Sequence, residues 1–145
     1  SNGDVNLRIP SRSKSIFKTN YEEIYKLGCA TIHQGNKIDN KNSFKVKKIK
    51  FDDLLEGKNI SFIKIDVEGH EREVITGSKK IIKKNKPILL VEIEERHNNF
   101  PILDTIEFIK NFGYNSYFVA DGNIKDIKKL KDINSENNFL FLAKK

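Results

Sequence analysis

The chain has 145 residues, of which 37% are hydrophobic and 32% are charged, and these values are typical of one globular domain with a buried core. No apolar run approaches the roughly 18 to 20 residues that a helix needs to cross a bilayer, and nothing at the start resembles a signal peptide. The single cysteine, Cys29, excludes an internal disulfide and favours a reducing compartment. We therefore expect a cytoplasmic protein.

The net charge of +7 raises the alternative of a nucleic-acid partner. Most of the basic residues are lysines, however, and arginine is the side chain that suits base edges and bidentate phosphate contacts. The aromatic residues mostly lie inside apolar runs, as Phe62, Phe139 and Phe141 do, and do not alternate with lysines on one face. Nucleic-acid binding is therefore the less favoured interpretation.

The first third of the chain is predicted to contain two strands separated by a polar stretch. Residues 4–9 alternate apolar and polar side chains, which is the pattern of a half-buried strand. Residues 43–50 alternate apolar side chains with lysines and indicate an edge-like strand. Between these strands the sequence is weakly patterned and predicts only a short helix at 20–26 and a strand near 28–33.

A stronger pattern begins at residue 60. Residues 60–66 form a nearly continuous apolar run, which is typical of a strand covered on both faces. The next segment has lysines on one side and an apolar face at helical spacing on the other, and this face consists of Val74, Ile75, Ser78, Ile81 and Ile82. The sequence therefore predicts a buried strand followed by an amphipathic helix.

The remaining elements continue this alternation. The apolar runs predict a second buried strand at 88–93, a third strand at 114–120 and a last strand at 138–143, while apolar residues at helical spacing predict a helix at 101–112. Strand, helix, strand, helix, strand is the signature of a parallel sheet with right-handed crossovers. The last two strands have no convincing helix between them, so we expect them to pair antiparallel at the sheet edge. The expected fold class is an α/β three-layer sandwich with a mostly parallel sheet, formed as a single domain.

Polar residues cluster where the first buried strand ends. In an open α/β sheet, ligands bind at the carboxyl ends of the strands, and Asp66, Glu68 and His70 follow that end directly. A carboxylate beside apolar residues needs a partner, a histidine can act as a base near neutral pH, and Gly69 permits a close backbone approach to a ligand. The plainer alternatives stay open: Asp66 as a helix cap, Glu68 as a charge favoured by the helix dipole, and His70 as an ordinary surface residue.

A second cluster follows the next strand. Glu92 lies between Val91 and Ile93, where a carboxylate is costly unless it is paired or functional, so we favour a site role. His97 is a further candidate in the following loop. Glu71, by contrast, is interpreted as a solvated helix residue. Acids and histidines near one crevice could bind a divalent metal, but their spacing is not diagnostic, so a metal site stays a minor alternative.

The segment FIKIDVEGHEREVITGS, residues 62–78, closely resembles the hallmark segment of the FkbM-type methyltransferases. Similar matches are KKIKFDDLLEG at 47–57, PILLVEIEERH at 87–97, NFGY at 111–114 and the apolar C-terminal strand. The segment GDVNLRIP resembles a strand from the middle of the family's domain. The chain is thus identified as resembling this family over most of its length, least clearly from residue 11 to 42.

The resemblance implies S-adenosylmethionine-dependent methyl transfer on a Rossmann-like sheet, commonly to a hydroxyl of a sugar, polyketide or other small metabolite. It implies that Asp66 lies near the transferring methyl and that Asp66 and Gly69 contact the cofactor. Glu68 and His70 would line the acceptor side and share the catalytic role with Asp66. Glu92 and His97 are the expected substrate-binding residues.

The sequence departs from the family in one respect. The eight glycines are scattered singly, so the sequence lacks the glycine-rich turn after the first strand with which such enzymes hold the cofactor. The mid-domain resemblance of GDVNLRIP implies that the N-terminal strands of the family's sheet are missing from this chain. We therefore also expect an exposed sheet edge that pairs with a partner or a second copy. The alternative function is a non-catalytic remnant or interaction module that depends on a partner chain.

Overall fold

The computed structural model describes residues 2–8, 32, 43–97, 100–120, 122–127 and 136–144. Contacts within the chain group into two compact units, Ser1–Ile49 and Lys50–Lys145. The predicted helix at 20–26 and nearly all of the predicted strand near 28–33 lie outside the described residues. A single domain over the whole chain stays a prediction.

The first unit contains a two-stranded antiparallel sheet. Strand β1 (Gly3–Arg8) pairs with β2 (Ser43–Lys48), and Val5 lies opposite Val46. The alternating apolar side chains are only half-buried or exposed, and Lys45 forms an ion pair with Asp4 at 2.9 Å. Both strands that the alternation predicts in this part of the chain are therefore confirmed.

The second unit combines helices with a five-stranded sheet. Its elements in chain order are α1 (Phe51–Leu54), β3 (Phe62–Ile65), α2 (Glu71–Gly77), α3 (Lys79–Asn85), β4 (Ile88–Glu92), a 3₁₀ turn (Glu95–His97), α4 (Ile102–Lys110), β5 (Tyr114–Ala120), β6 (Asn123–Asp126) and β7 (Asn138–Ala143). The predicted buried strands and helices from residue 60 onward are confirmed in position. The predicted single helix after β3 is divided at Ser78, whose hydroxyl donates to the carbonyl of Val74 at 2.7 Å.

The order of strands corrects the predicted sheet. The order is β3-β4-β7-β5-β6. Among the described strands of this sheet, only the β3–β4 pair is parallel, and the pairs β4–β7, β7–β5 and β5–β6 are all antiparallel. The fold is therefore a mixed, mostly antiparallel sheet with four α-helices among the described residues. The prediction of a mostly parallel, three-layer Rossmann-like sandwich with missing N-terminal strands is wrong.

The physical reason for this correction lies in β7. The alternation of strands and helices predicted the direction of each strand, and β4 and β5 do run the same way, since both are antiparallel to β7. It did not predict which strands are neighbours. Because β7 lies between β4 and β5, neither has a parallel partner on that side. The predicted antiparallel pairing of β5 with β7 is confirmed, but β7 lies inside the sheet and β6 forms the edge.

The core lies on one face of this sheet. Alternate residues of the strands are fully or almost fully buried there, among them Ile65, Val91 and Phe139, and they pack with Ile75 and Ile109 from the helices. The predicted apolar face of the helical segment is confirmed, because Ile75, Ser78, Ile81 and Ile82 are all buried. Side chains on the opposite sheet face remain accessible, and Phe62, Ile88 and Val119 are 42–51% exposed.

No helix in the described part of the chain is long and apolar enough to cross a membrane.

Candidate functional site

The first candidate residue stands directly after β3. Asp66 is exposed, and its Oδ2 accepts a hydrogen bond from Lys64 Nζ at 3.0 Å. Side chains two residues apart on a strand point to the same face, which is why this pair forms so close to the strand end. The hydrogen bond and charge of Asp66 raise the pKa of Lys64. Asp66 therefore forms an ion pair with Lys64 at the end of β3. It does not cap helix α2, whose N-cap residue is His70.

The turn between β3 and α2 has an unusual backbone. Glu68 and Gly69 both have positive φ angles, 45° and 89°. Glycine adopts this region freely, but a residue with a Cβ pays roughly 1–2 kcal/mol for it. Glu68 and His70 are half-buried, and His70 Nδ1 lies 3.9 Å from Glu73 Oε2. The turn thus holds Glu68 in a conformation that its neighbours must stabilise.

Glu92 is the last residue of β4 and is half-buried. Loss of solvent around its carboxyl group raises its pKa, and the nearby charges of Asp66 and Glu94 raise it further, while Lys64 and Arg96 partly oppose the shift. The carboxylate form of Glu92 is therefore a stronger base than the carboxylate of an ordinary glutamate.

The parallel register brings Asp66 and Glu92 together. Ile65 lies opposite Val91 in the β3–β4 pair, so the next residue on each strand is one of the two carboxylates. The electrostatic effect of Asp66 on Glu92 agrees with this placement. The sequence predicts that carboxylates from both strands lie at the same end of the sheet. Their proximity in the structure depends on the parallel pairing of β3 with β4.

The segment after β4 carries further charges. Glu94 is paired with Arg96, and Asn137 Nδ2 donates to Glu94 Oε1 at 3.2 Å. His97 ends the 3₁₀ turn, but its side chain lies outside the described residues, so its assignment as a substrate-binding residue stays a prediction.

Two residues near the site were missed in the sequence. Lys64 lies within the apolar run that predicts β3, and that run alone gives it no role. Its spacing of two residues from Asp66 nevertheless places both side chains on one face of the strand. Glu71 was interpreted as solvated, and that interpretation is wrong, because it is 1% exposed. The helical spacing that identified Ile75 and Ser78, extended back by one turn, would have placed Glu71 on the buried face.

Two other features bear on ligand binding. Within the described ranges, no group of three or more histidine, cysteine, aspartate or glutamate residues is arranged to hold a metal ion. An open cavity of ≈ 570 Å³ lies against β1 and β2, with Asp4, Arg8 and Lys45 among its lining residues.

Comparison with known families shows which family the chain belongs to. A sequence model described as the methyltransferase FkbM domain matches residues 7–116. The chain belongs to this family. The matched range includes β3, the turn, β4 and α4, and therefore every candidate site residue, whereas β6 and β7 lie beyond it. Searches of curated proteins and of solved structures found no match.

Membership of the FkbM family confirms the resemblance found in residues 62–78. It indicates methyltransferase activity in general, and methyltransferases of this family are generally dependent on S-adenosylmethionine.

Proposed function

We propose that this chain acts in the transfer of a methyl group from S-adenosylmethionine to a hydroxyl oxygen of a sugar or another small metabolite. The observation that carries the proposal is the meeting of Asp66 and Glu92 at the carboxyl ends of the parallel pair β3–β4. Family membership supports the methyl transfer, and the paired carboxylates support a hydroxyl as the acceptor.

The chemistry of a hydroxyl acceptor explains why carboxylates would be used. A hydroxyl oxygen is a weak nucleophile until its proton is removed, so the site needs a positioned base. We propose that a carboxylate oxygen of Glu92 orients the acceptor and receives this proton, because its raised pKa favours proton uptake. His70, in the turn after β3, is a further candidate for this base.

The carboxylates of the candidate site are suited to contacts with the cofactor. Carboxylates accept hydrogen bonds from ribose hydroxyls and favour a nearby cation, and the candidate site contributes Asp66, Glu68 and Glu92. When bound, S-adenosylmethionine supplies the methyl group on a positively charged sulfur. We propose that Asp66 and Gly69 contact the cofactor, while Glu68, His70 and His97 line the acceptor side. Lys64 would keep the Asp66 carboxylate in place through its 3.0 Å hydrogen bond.

The experiment that tests the proposal is calorimetry with S-adenosylmethionine on the wild-type chain and on Asp66→Asn. We expect one-to-one binding by the wild type and a clear loss of affinity in the variant. Asp126→Asn is the matched control, because Asp126 is an exposed aspartate on the far edge strand β6, and it should bind like the wild type. Equal affinity of Asp66→Asn and the wild type would contradict the assignment of Asp66.

A second candidate function is a non-catalytic remnant or interaction module that depends on a partner chain. It is supported by the absence of a glycine-rich turn from the sequence. Calorimetry distinguishes the two functions: tight one-to-one binding of S-adenosylmethionine by this chain would exclude the remnant, and no binding by the folded wild type would favour it. A cytoplasmic location rests on the single cysteine and stays a prediction.

A further inference from the structure

The backbone conformation of the turn at Glu68, Gly69 and His70 needs stabilising contacts from its surroundings. Two successive residues have left-handed backbone angles, and the first of them, Glu68, is not a glycine. Such a conformation persists only where surrounding contacts compensate for its cost.

Glu71 makes such a contact. Its Oε1 accepts a hydrogen bond from the backbone N–H of Gly69 at 2.8 Å. The side chain is 1% exposed, and Oε2 is buried with no hydrogen-bond partner among the described residues. A buried carboxylate that is only half satisfied costs free energy compared with an apolar side chain of the same size. Glu71 is therefore a poor choice for filling space, and its value lies in the contact to Gly69.

We propose that Glu71 is a positioning residue that fixes the β3–α2 turn through the Gly69 N–H and thereby sets the placement of Glu68 and His70 in the candidate site. Glu71 is assigned a positioning role and not a catalytic one, because its side chain is almost fully buried. This inference rests on the proposed function only in assigning the β3–α2 turn to a methyl-transfer site. The effect of Glu71 on the positions of Glu68 and His70 can be measured without any ligand.

Three substitutions separate positioning from packing. Glu71→Gln retains an oxygen that can accept from Gly69. Glu71→Met has a similar volume and no acceptor, and replacement of a buried charge by an apolar side chain is often neutral or stabilising. Glu71→Asp keeps the charge but is one methylene shorter, so its oxygen cannot reach Gly69 from the same backbone position.

The decisive measurement is NMR of the full chain at fixed pH, following the Gly69 amide and the His70 imidazole resonances. We expect Glu71→Gln to keep both near their wild-type positions. In Glu71→Met we expect both to move and the Gly69 amide to lose its protection from hydrogen exchange, with no loss of thermal stability. If Glu71→Met fails to fold, Glu71→Asp provides the same comparison. Wild-type resonances and protection in the variants without a reaching acceptor would overturn the proposal.

Calorimetry connects the turn to function. Loss of a hydrogen bond that organises a contact region should weaken binding of S-adenosylmethionine by roughly tenfold in Glu71→Met, and Glu71→Gln should restore it. No binding by the wild type would count against the proposed function alone, because the NMR comparison still decides whether Glu71 positions the turn. Equal affinities of wild type and Glu71→Met would overturn the positioning role in the site.

Discussion

Glu92 illustrates how a single residue combines a structural cost with a chemical use. Its carboxyl group ends an otherwise apolar strand, and its surroundings disfavour the charged form, first through loss of solvent and then through the charges of Asp66 and Glu94. The side chain is tolerated because Lys64 and Arg96 offset part of this effect. The loss of solvent and the neighbouring negative charges that disfavour the ionised carboxylate of Glu92 also make it a stronger proton acceptor.

This balance predicts a pH dependence of stability. Because the folded state raises the pKa of Glu92, it holds the proton more tightly than the unfolded state does. The stabilising contribution is fully present below the unfolded-state pKa and is lost as the pH rises through the raised folded-state pKa. We expect Glu92→Gln to lack this fall in the free energy of unfolding, as measured by urea titrations at a series of pH values.

The matched control is Glu95→Gln, which changes an exposed glutamate in the following turn. Its pH profile should follow that of the wild type. A Glu92→Gln profile that is parallel to the wild-type profile over the whole acidic range would show that the Glu92 environment does not differ between the folded and unfolded states.

At this scale the sequence was informative where a charge interrupted an apolar run. Asp66 and Glu92 are candidates because a carboxylate at the end of a buried strand needs a partner or a function, and their roles in the site stay predictions. Glu71 could not be found by the same argument, because a glutamate among charged residues at a helix start is usually solvated. Its role depends on a left-handed turn, and backbone angles at Glu68 are not visible in residue types.

At the scale of elements, the short helix α1 stabilises another helix. Helix α3 begins after Ser78, whose side chain makes no capping hydrogen bond to it. Asp52 of α1 takes this place: its two carboxylate oxygens accept hydrogen bonds from the backbone N–H groups of Lys80 and Ile81, at 2.9 and 3.0 Å. A negative charge at this end of a helix is also favoured by the helix dipole.

We expect Asp52→Ala to lower the free energy of unfolding by about 1–2 kcal/mol, because it removes both capping bonds and the favourable charge. Asp52→Asn should fall between the wild type and the alanine variant, since it keeps an acceptor but loses the charge. Chemical denaturation monitored by circular dichroism measures the difference. Glu56→Ala, an exposed acid in the turn after α1, is the control; an equal effect of both alanine variants would contradict the capping role.

Elements were predicted better than their arrangement. The long apolar and amphipathic segments located β3, β4, α4 and β5, because burial imposes a clear period on them. The strand β6 was not predicted, since all four of its residues are exposed and carry no such period. The position of β7 could not be predicted either, because an apolar strand fits an inner position of a sheet equally well beside several different neighbours.

At the scale of the whole molecule, the edge strand β3 carries the partner prediction. β3 has β4 on one side and forms the end of the five-stranded order, and edge strands offer unpaired backbone groups to another chain. Its Phe62 side chain is 51% exposed. We propose that a second copy of the chain pairs along this edge, because the β3 strand of that copy is an identical edge strand.

Sedimentation velocity at increasing protein concentration tests this pairing. A lysine on an edge strand opposes the approach of another strand, so Phe62→Lys should shift the sample toward the monomer. Phe44→Lys is a closely matched control, because Phe44 is also an exposed phenylalanine on a strand, at 55% exposure, but belongs to the β1–β2 sheet. A monomeric wild type, or equal effects of the two variants, would contradict self-association through β3.

The central position of β7 has a consequence for how the protein is made on the ribosome. Strand β4, which carries Glu92, pairs with residues that are synthesised well after it and after the whole of α4, β5 and β6. Until those residues emerge, one side of β4 has no strand beside it, and long-range pairings of this kind form slowly. The sheet around β4 is therefore completed late in translation, and we expect a nascent chain interrupted before β7 to expose the strand that carries Glu92 to aggregation.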